Sequence, residues 1–133
     1  MNSLLKFIIE NLSFLYGKLG FVFKNSVCDS EDGNGLLELQ NNILLIQCIR
    51  DRGKISVYLA NQQNPKELFE LTEIIEITTG QKANYTIPDT EAIHFLKESF
   101  NDIVKLLTEN FSVALDKRNA IRKEQLYALG YRE

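Results

Sequence analysis

Residues 36–60, LLELQNNILLIQCIRDRGKISVYLA, decide the fold of this chain. A dense apolar run at 43–49 is followed by a DRG turn sequence at 51–53. Beyond the turn, polar and apolar side chains alternate with the period of two that a β-strand requires. The stretch therefore predicts a β-hairpin, and we expect the rest of the chain to pack against it.

The register of this hairpin depends on the length of its turn. A three-residue connection with Gly53 as a bulge pairs Arg50 with Lys54. It gathers one apolar set on a single face: Ile43, Leu45, Ile49, Ile55, Val57 and Leu59. A two-residue turn shifts the pairing by one and places Leu44, Ile46 and Cys48 opposite Leu59, Val57 and Ile55. In either register the first strand is apolar on both sides, so we expect another segment or another molecule to cover part of the second face.

Length and composition predict one globular domain spanning residues 1–133. The 133 residues are 44% hydrophobic and 25% charged, which is ordinary for a folded domain. The net charge of −3 disfavours a nucleic-acid-binding surface, which needs clustered Lys and Arg. No apolar run reaches the roughly 18 residues of a membrane span, and the N-terminus does not resemble an export signal. We therefore expect a cytoplasmic protein without nucleic-acid or membrane partners.

The remaining segments predict helices around the hairpin. An N-terminal helix ends by Gly17, with an inner stripe of Leu5, Ile8, Ile9, Leu12, Leu15 and Tyr16. Strands follow at 21–28 and around Leu37 and Leu39. Asn64 and Pro65 begin a helix that stops at Gly80, and a short strand is expected at 83–87. A long helix opens at Pro88 and carries Ile93, Leu96, Phe100, Ile103 and Leu107 inward. A short, basic, loosely docked helix at about 116–130 ends the chain.

This order predicts an α+β fold. It comprises an N-terminal helix, an antiparallel β-meander of three to four strands, and two to three C-terminal helices packed on the sheet.

The sequence contains no pattern typical of catalysis, cofactor binding or metal binding. In the loop 29–35, DSEDGNG, neither glycine fits the calcium-loop spacing, because Gly33 at position 6 puts Leu39 at position 12 and Gly35 puts Asn41 there. The loop also lacks the ending of a phosphate-binding loop. Cys28 and Cys48 are too few for a zinc site, and we expect both to be reduced. His94 has no nucleophile or acid at a catalytic spacing. We therefore predict no catalytic, cofactor or metal residues.

Acidic side chains form two groups that flank the hairpin. One group lies in the loop at 29–32, and the other repeats every three residues from Glu67 to Glu76. Such a row forms either a solvated helix face or a docking surface for a basic protein. The candidate partner-binding residues are Asp29, Glu31, Asp32, Glu70, Glu73 and Glu76. If they steer a basic partner, their neutralisation should slow association.

Three stretches resemble small bacterial proteins that include immunity proteins of polymorphic toxin systems. These stretches are YGKLGF at 16–21, IQCIRDRGKISVYL at 46–59 and residues 64–71, so the resemblance covers about residues 15–80. The resemblance implies a stoichiometric binder that blocks an enzyme, without catalytic residues of its own. It assigns no role to any individual residue.

Two other functions are compatible with the sequence. The apolar second face of the hairpin also suits a structural or chaperone-like homodimer. A small-ligand-binding domain would need a pocket between the sheet and the helices, and the polar residues available for it are Gln47, Arg50, Tyr58 and His94.

Overall fold

A five-stranded antiparallel sheet forms the centre of the fold. The computed structural model describes residues 2–17, 19–28, 34–81 and 89–130. The strands are β1, Val22–Cys28; β2, Gly35–Gln40; β3, Leu44–Asp51; β4, Lys54–Asn61; and β5, Phe69–Glu70. The helices are α1, Asn2–Asn11; α2, Leu71–Thr79; α3, Asp89–Glu98; α4, Phe100–Leu107; and α5, Phe111–Ala128. The strands lie in the order β1-β2-β3-β4-β5, so the predicted α+β class and antiparallel meander are confirmed, with five strands instead of the expected three to four.

The β3–β4 hairpin turns through two residues, Arg52 and Gly53, rather than three. Asp51 pairs with Lys54, so the predicted Arg50–Lys54 pairing is wrong. Both turn residues have positive φ, 53° and 80°, as a type I′ turn requires. A side chain outside the hairpin favours this geometry, because Oδ1 of Asn34 accepts a hydrogen bond from the Arg52 amide at 2.9 Å. The pairing for a two-residue turn also differs in detail from the expected one, since Val57 lies opposite Cys48.

This register divides the sheet into two unlike faces. The first face packs against the helices and forms the hydrophobic core. Its strand residues are Leu37, Leu39, Leu44, Ile46, Cys48, Val57, Leu59 and Phe69. The helical residues of the same cluster include Ile8, Leu12, Leu15, Leu96, Ile103 and Leu107. The second face is the opposite side of the strands.

The N-terminal helix differs from its predicted form. The α-helix stops at Asn11, whose side-chain amide donates to the Phe7 carbonyl, and a 3₁₀ turn at Ser13–Leu15 continues the chain. The tighter winding still carries Leu15 into the core. Ile9, which we expected on the inner stripe, is 60% exposed, because the helix rests on the sheet along Ile8 and Leu12.

The helix predicted from Asn64 to Gly80 begins only at Leu71. Residues 62–66 form turns, and the backbone amide of Asn64 donates to the side chain of Asn61 at 2.7 Å. The chain then returns to the sheet as β5, which pairs Phe69 with Leu59. Burying the whole Phe69 side chain is worth more than extending an exposed first turn of helix. The predicted end is confirmed, with Gly80 in the left-handed conformation.

After Gly80, the described part of the chain contains three helices where we expected two. The helix opening near Pro88 is interrupted at Ser99, and its predicted inner residues are all buried. The last helix begins at Phe111 instead of 116, and Ala114 and Arg118 are its buried residues. Leu126 and Leu129, near the end of the chain, are exposed. The loop at 29–33, the strand expected at 83–87 and Pro88 lie outside the described residues.

Candidate functional site

The second face carries its side chains in three rows that cross the sheet in register. Row one is Val27–Leu36–Ile49–Ser56. Row two is Asn25–Glu38–Gln47–Tyr58–Glu70. Row three is Val22–Gln40–Leu45–Ala60. Row two contributes one polar residue from every strand, although β2 and β3 are otherwise largely apolar.

Glu38 is the β2 residue of row two. It is 8% exposed. One carboxylate oxygen accepts from Nε2 of Gln47 at 3.0 Å, and the other accepts from Nδ2 of Asn25 at 3.3 Å. Both partners are neutral amides on the neighbouring strands, so they hold the carboxylate in place without compensating its charge.

Row one forms the apolar side of a shallow concavity next to Glu38. The concavity has a volume of about 560 Å³ and lies at the hairpin-turn end of the sheet. Its lining is Val27, Asn34, Gly35, Leu36, Gln47, Ile49, Arg50 and Asp51. Val27 is 58% exposed, and Leu36 and Ile49 are half-buried. Exposed apolar side chains beside a buried carboxylate provide the two contact types that protein interfaces combine.

Row three is buried where it crosses β3 and β4. Leu45 and Ala60 are buried but do not belong to the main core cluster. Nearby, Nε2 of Gln62 donates to Oε1 of Gln40 and to the carbonyls of Asn41 and Leu44. These bonds tie the end of β4 to the end of β2. Row three is therefore accessible at its β1 end, where Val22 is 58% exposed, and rows one and two form the wider accessible part of the second face.

Row two ends at Glu70, which is half-buried beside Tyr58. Burial raises the pKa of Glu70, and the Glu73 carboxylate raises it further against the opposing charges of Lys54 and Arg122. Burial also raises the pKa of the Tyr58 hydroxyl, to which the two carboxylates add. Tyr58 therefore stays protonated at neutral pH and can donate a hydrogen bond from the sheet surface.

Two arginines of α5 fasten the segment that precedes α2. Arg122 binds Glu73 through Nε and Nη2 at 2.8 and 2.9 Å, and Arg118 binds Glu67 at 2.7 Å. Both arginines also donate to the Leu68 carbonyl. The Arg118 guanidinium lies 5.0 Å from the centre of the Phe69 ring. These contacts hold α5 against the sheet edge and give Arg118 and Arg122 a structural role.

The six predicted partner-binding residues differ in their location and exposure. Asp29, Glu31 and Asp32 lie outside the described residues. Glu70 belongs to row two. Glu73 is only 6% exposed, so the expectation that this glutamate is solvated is wrong; its other hydrogen bond caps α2 by accepting from the Glu70 amide. Glu76 lies on α2 and is half-buried. Their role in partner binding stays a prediction.

Of the four polar residues considered for a small-ligand pocket, Gln47 and Arg50 both line the concavity at the hairpin-turn end, and His94 lies apart from them. Gln47 and Tyr58 are direct neighbours in row two. Arg50 lines the concavity beside row one, whereas His94 is exposed on α3. Neither the place of Asn25 in row two nor the burial of Glu38 was predicted from the sequence. The available signal was the presence of single polar residues at alternating positions within apolar strands.

Other features of the described residues do not provide a second candidate binding site. No group of three or more His, Cys, Asp or Glu is placed to hold a metal ion in the part of the chain that the structure describes. Within the same ranges, no helix is both long and apolar enough to cross a bilayer. A concavity of about 480 Å³ near Asn61 is lined mainly by amide side chains, of which Asn61 and Gln62 are already bonded within the fold.

The raised pKa of Glu70 predicts a pH-dependent stability. Because the folded state binds this proton more tightly than the unfolded state, stability is lost as the pH rises from the ordinary value of 4.5 through the folded pKa. We expect Glu70→Gln to be more stable than the parent at neutral pH and to converge with it below that window. Urea unfolding across the pH range measures the difference. A difference that does not change with pH, or one also produced by Glu98→Gln at an exposed site, would contradict the assignment.

Cys48 is expected to be chemically inert in the folded protein. Burial raises the pKa of its thiol to about 12, so thiolate is scarce at neutral pH. In a Cys28→Ser variant, Cys48 is the single thiol. We expect an aromatic disulfide reagent to label it only as fast as the protein unfolds, and at once in denaturant. Rapid labelling of the native variant would show an accessible thiol and refute the placement of Cys48 in the core.

No protein-family model, no curated protein sequence and no solved structure matches this chain.

Proposed function

We propose that this protein is a protein-binding module that uses rows one and two of the second face as its contact surface. The observation that carries the proposal is row two, in which polar side chains from all five strands stand in register beside an exposed apolar row. Five adjacent strands span about 19 Å across the sheet at the usual strand spacing. A surface of this extent suits a protein segment better than a compact metabolite.

The sharpest form of the proposal is neutralisation of an enzyme by stoichiometric binding, as in immunity proteins of toxin systems. The resemblance at 16–21, 46–59 and 64–71 supports this form, and so does the acidic net charge. A basic target enzyme would be attracted by Glu70, Glu76 and the acidic residues 29, 31 and 32, which raises the association rate. The proposal includes the cytoplasmic location expected from the sequence.

Co-expression with the products of neighbouring genes, followed by affinity capture, tests the proposal. Two valines provide matched variants, since Val27 in row one is 58% exposed and Val113 on α5 is 53% exposed. We expect Val27→Lys to reduce the captured partner strongly and Val113→Lys to leave it unchanged. Equal capture by both variants would refute the use of the second face.

A second copy of the chain is the competing occupant of this surface. Sedimentation equilibrium separates the two cases, because a partner-binding module is a monomer when it is purified alone. A dimer that Val27→Lys dissociates, and that captures no other protein, would overturn the proposal in favour of self-association.

A further inference from the structure

The two most buried glutamates of the described residues differ in how their charge is compensated. Glu73 is held by the guanidinium of Arg122. Glu38 is buried to nearly the same degree, yet no Lys or Arg nitrogen lies within 4 Å of its carboxylate in the described part of the chain. Burying a carboxylate without a cation is costly. A partner that supplies a cation would offset this free-energy cost.

From this contrast we propose that Glu38 is a recognition site for an arginine side chain of the protein partner. The inference rests on the proposed function and specifies the chemistry of its ligand. Each Glu38 oxygen accepts one hydrogen bond from a side-chain amide, and a carboxylate can accept about four in total. The two remaining acceptor positions match the two parallel donors of a guanidinium.

The surroundings favour arginine over lysine. Leu36, Ile49 and Gln47 line the concavity, and Gln47 is hydrogen-bonded to Glu38. The concavity can therefore receive the aliphatic part of a side chain that reaches Glu38. Tyr58 is two places along row two from Glu38 and presents an aromatic ring. A guanidinium is less strongly hydrated than an ammonium group and stacks on aromatic rings. It therefore loses less hydration free energy on entering a buried site.

The spacing of the rows sets a further requirement on the partner. Leu36 and Glu38 are two residues apart on one strand, so their side chains are separated by about 6.8 Å. An extended segment with an apolar residue two positions from an arginine has the same separation. Such a segment can place its apolar side chain on row one and its guanidinium on Glu38 at once.

The test uses two peptides that differ in one charge. The first is acetyl-Leu-Ser-Arg-Ser-amide, and in the second citrulline replaces arginine, which keeps the shape but removes the charge. NMR titration of the isotope-labelled protein gives both dissociation constants. We expect the arginine peptide to bind at least about tenfold more tightly, as charge-assisted hydrogen bonds imply. Glu38→Gln should abolish that preference, whereas Glu98→Gln, at an exposed site on α3, should retain it.

The outcomes separate this inference from the proposed function. Equal affinities for the two peptides, or an arginine preference that survives Glu38→Gln, would overturn the arginine site. If Val27→Lys nevertheless prevents capture of the cellular partner, the second face remains the contact surface and only the role of Glu38 is refuted. The side-chain amide resonances of Asn25 and Gln47 show directly whether a peptide reaches the site, because both amides are bonded to Glu38.

Discussion

Replacing Arg118 by Ala is expected to lower the free energy of unfolding by about 2–4 kcal/mol, the range for removing one member of a buried, hydrogen-bonded ion pair that also packs on an aromatic ring. Arg118 is 6% exposed although it is charged, and it contacts Glu67, the Leu68 carbonyl and Phe69. The expected loss in unfolding free energy is below the largest values for buried ion pairs, because Glu67 is partly exposed and can be rehydrated.

Chemical denaturation measures this effect, and Lys117→Ala is the matched control. Lys117 is the adjacent residue of the same helix and is exposed. Its replacement should change stability by no more than about 0.5 kcal/mol. Arg118→Lys should recover only part of the loss, because an ammonium cannot reproduce the planar fork. Equal stabilities for the two alanine variants would show that α5 is not anchored through Arg118.

Replacing Leu59 by Ala is expected to cost about 3–5 kcal/mol, since the truncation removes apolar contacts and leaves a cavity in the core. Leu59 is fully buried on the first face, opposite Ile46 on one side and Phe69 on the other. The void would lie where three strands and the helical layer meet, so little can collapse into it.

Leu129→Ala is the control for the core prediction. Leu129 lies just beyond α5 and is 75% exposed, so its truncation should be nearly neutral. Urea unfolding of both variants gives the comparison. A Leu59→Ala loss as small as that of Leu129→Ala would mean that β4 does not present Leu59 to the core.

Local patterns predicted the sheet and most buried positions, but not the elements that depend on distant contacts. The meander followed from alternation and turn residues, and the burial of Leu96 followed from helical spacing. β5 could not be predicted, because a strand of two residues has no periodicity. It exists since Phe69 packs between β4 and α5, where it contacts Phe111 and Arg118.

The turn length of the central hairpin could not be predicted from the local sequence either. The sequence DRG at 51–53 is compatible with both turn lengths, and alternation alone does not distinguish them because β3 is apolar on both sides. Asn34, which is 18 positions away from Arg52 in the chain, favours the shorter turn by binding its amide. A one-residue change in the β3–β4 pairing moves every β4 side chain to the other face of the sheet. The composition of the candidate site therefore follows from the two-residue turn.

The candidate site was predictable only in part. The apolar second face was expected to need a cover, and Gln47 and Tyr58 were named as polar candidates. Their alignment with Asn25, Glu38 and Glu70 required the full register of four strand pairs, including the irregularity between Phe23 and Asn25 in β1. The acidic row was misjudged at Glu73, because the sequence could not show that Arg122 of a distant helix reaches it.

The most direct test of the second face as the contact surface is an NMR comparison of the free protein with its complex with the captured partner. The side-chain amides of Asn25 and Gln47 report on row two, and those of Asn101 and Gln125 report on exposed sites of α4 and α5. We predict large shifts or loss of the Asn25 and Gln47 signals, with Asn101 and Gln125 unchanged. Unchanged Asn25 and Gln47 signals in a saturated complex, with shifts at Asn101 or Gln125, would contradict the proposal and place the interface on the helical layer.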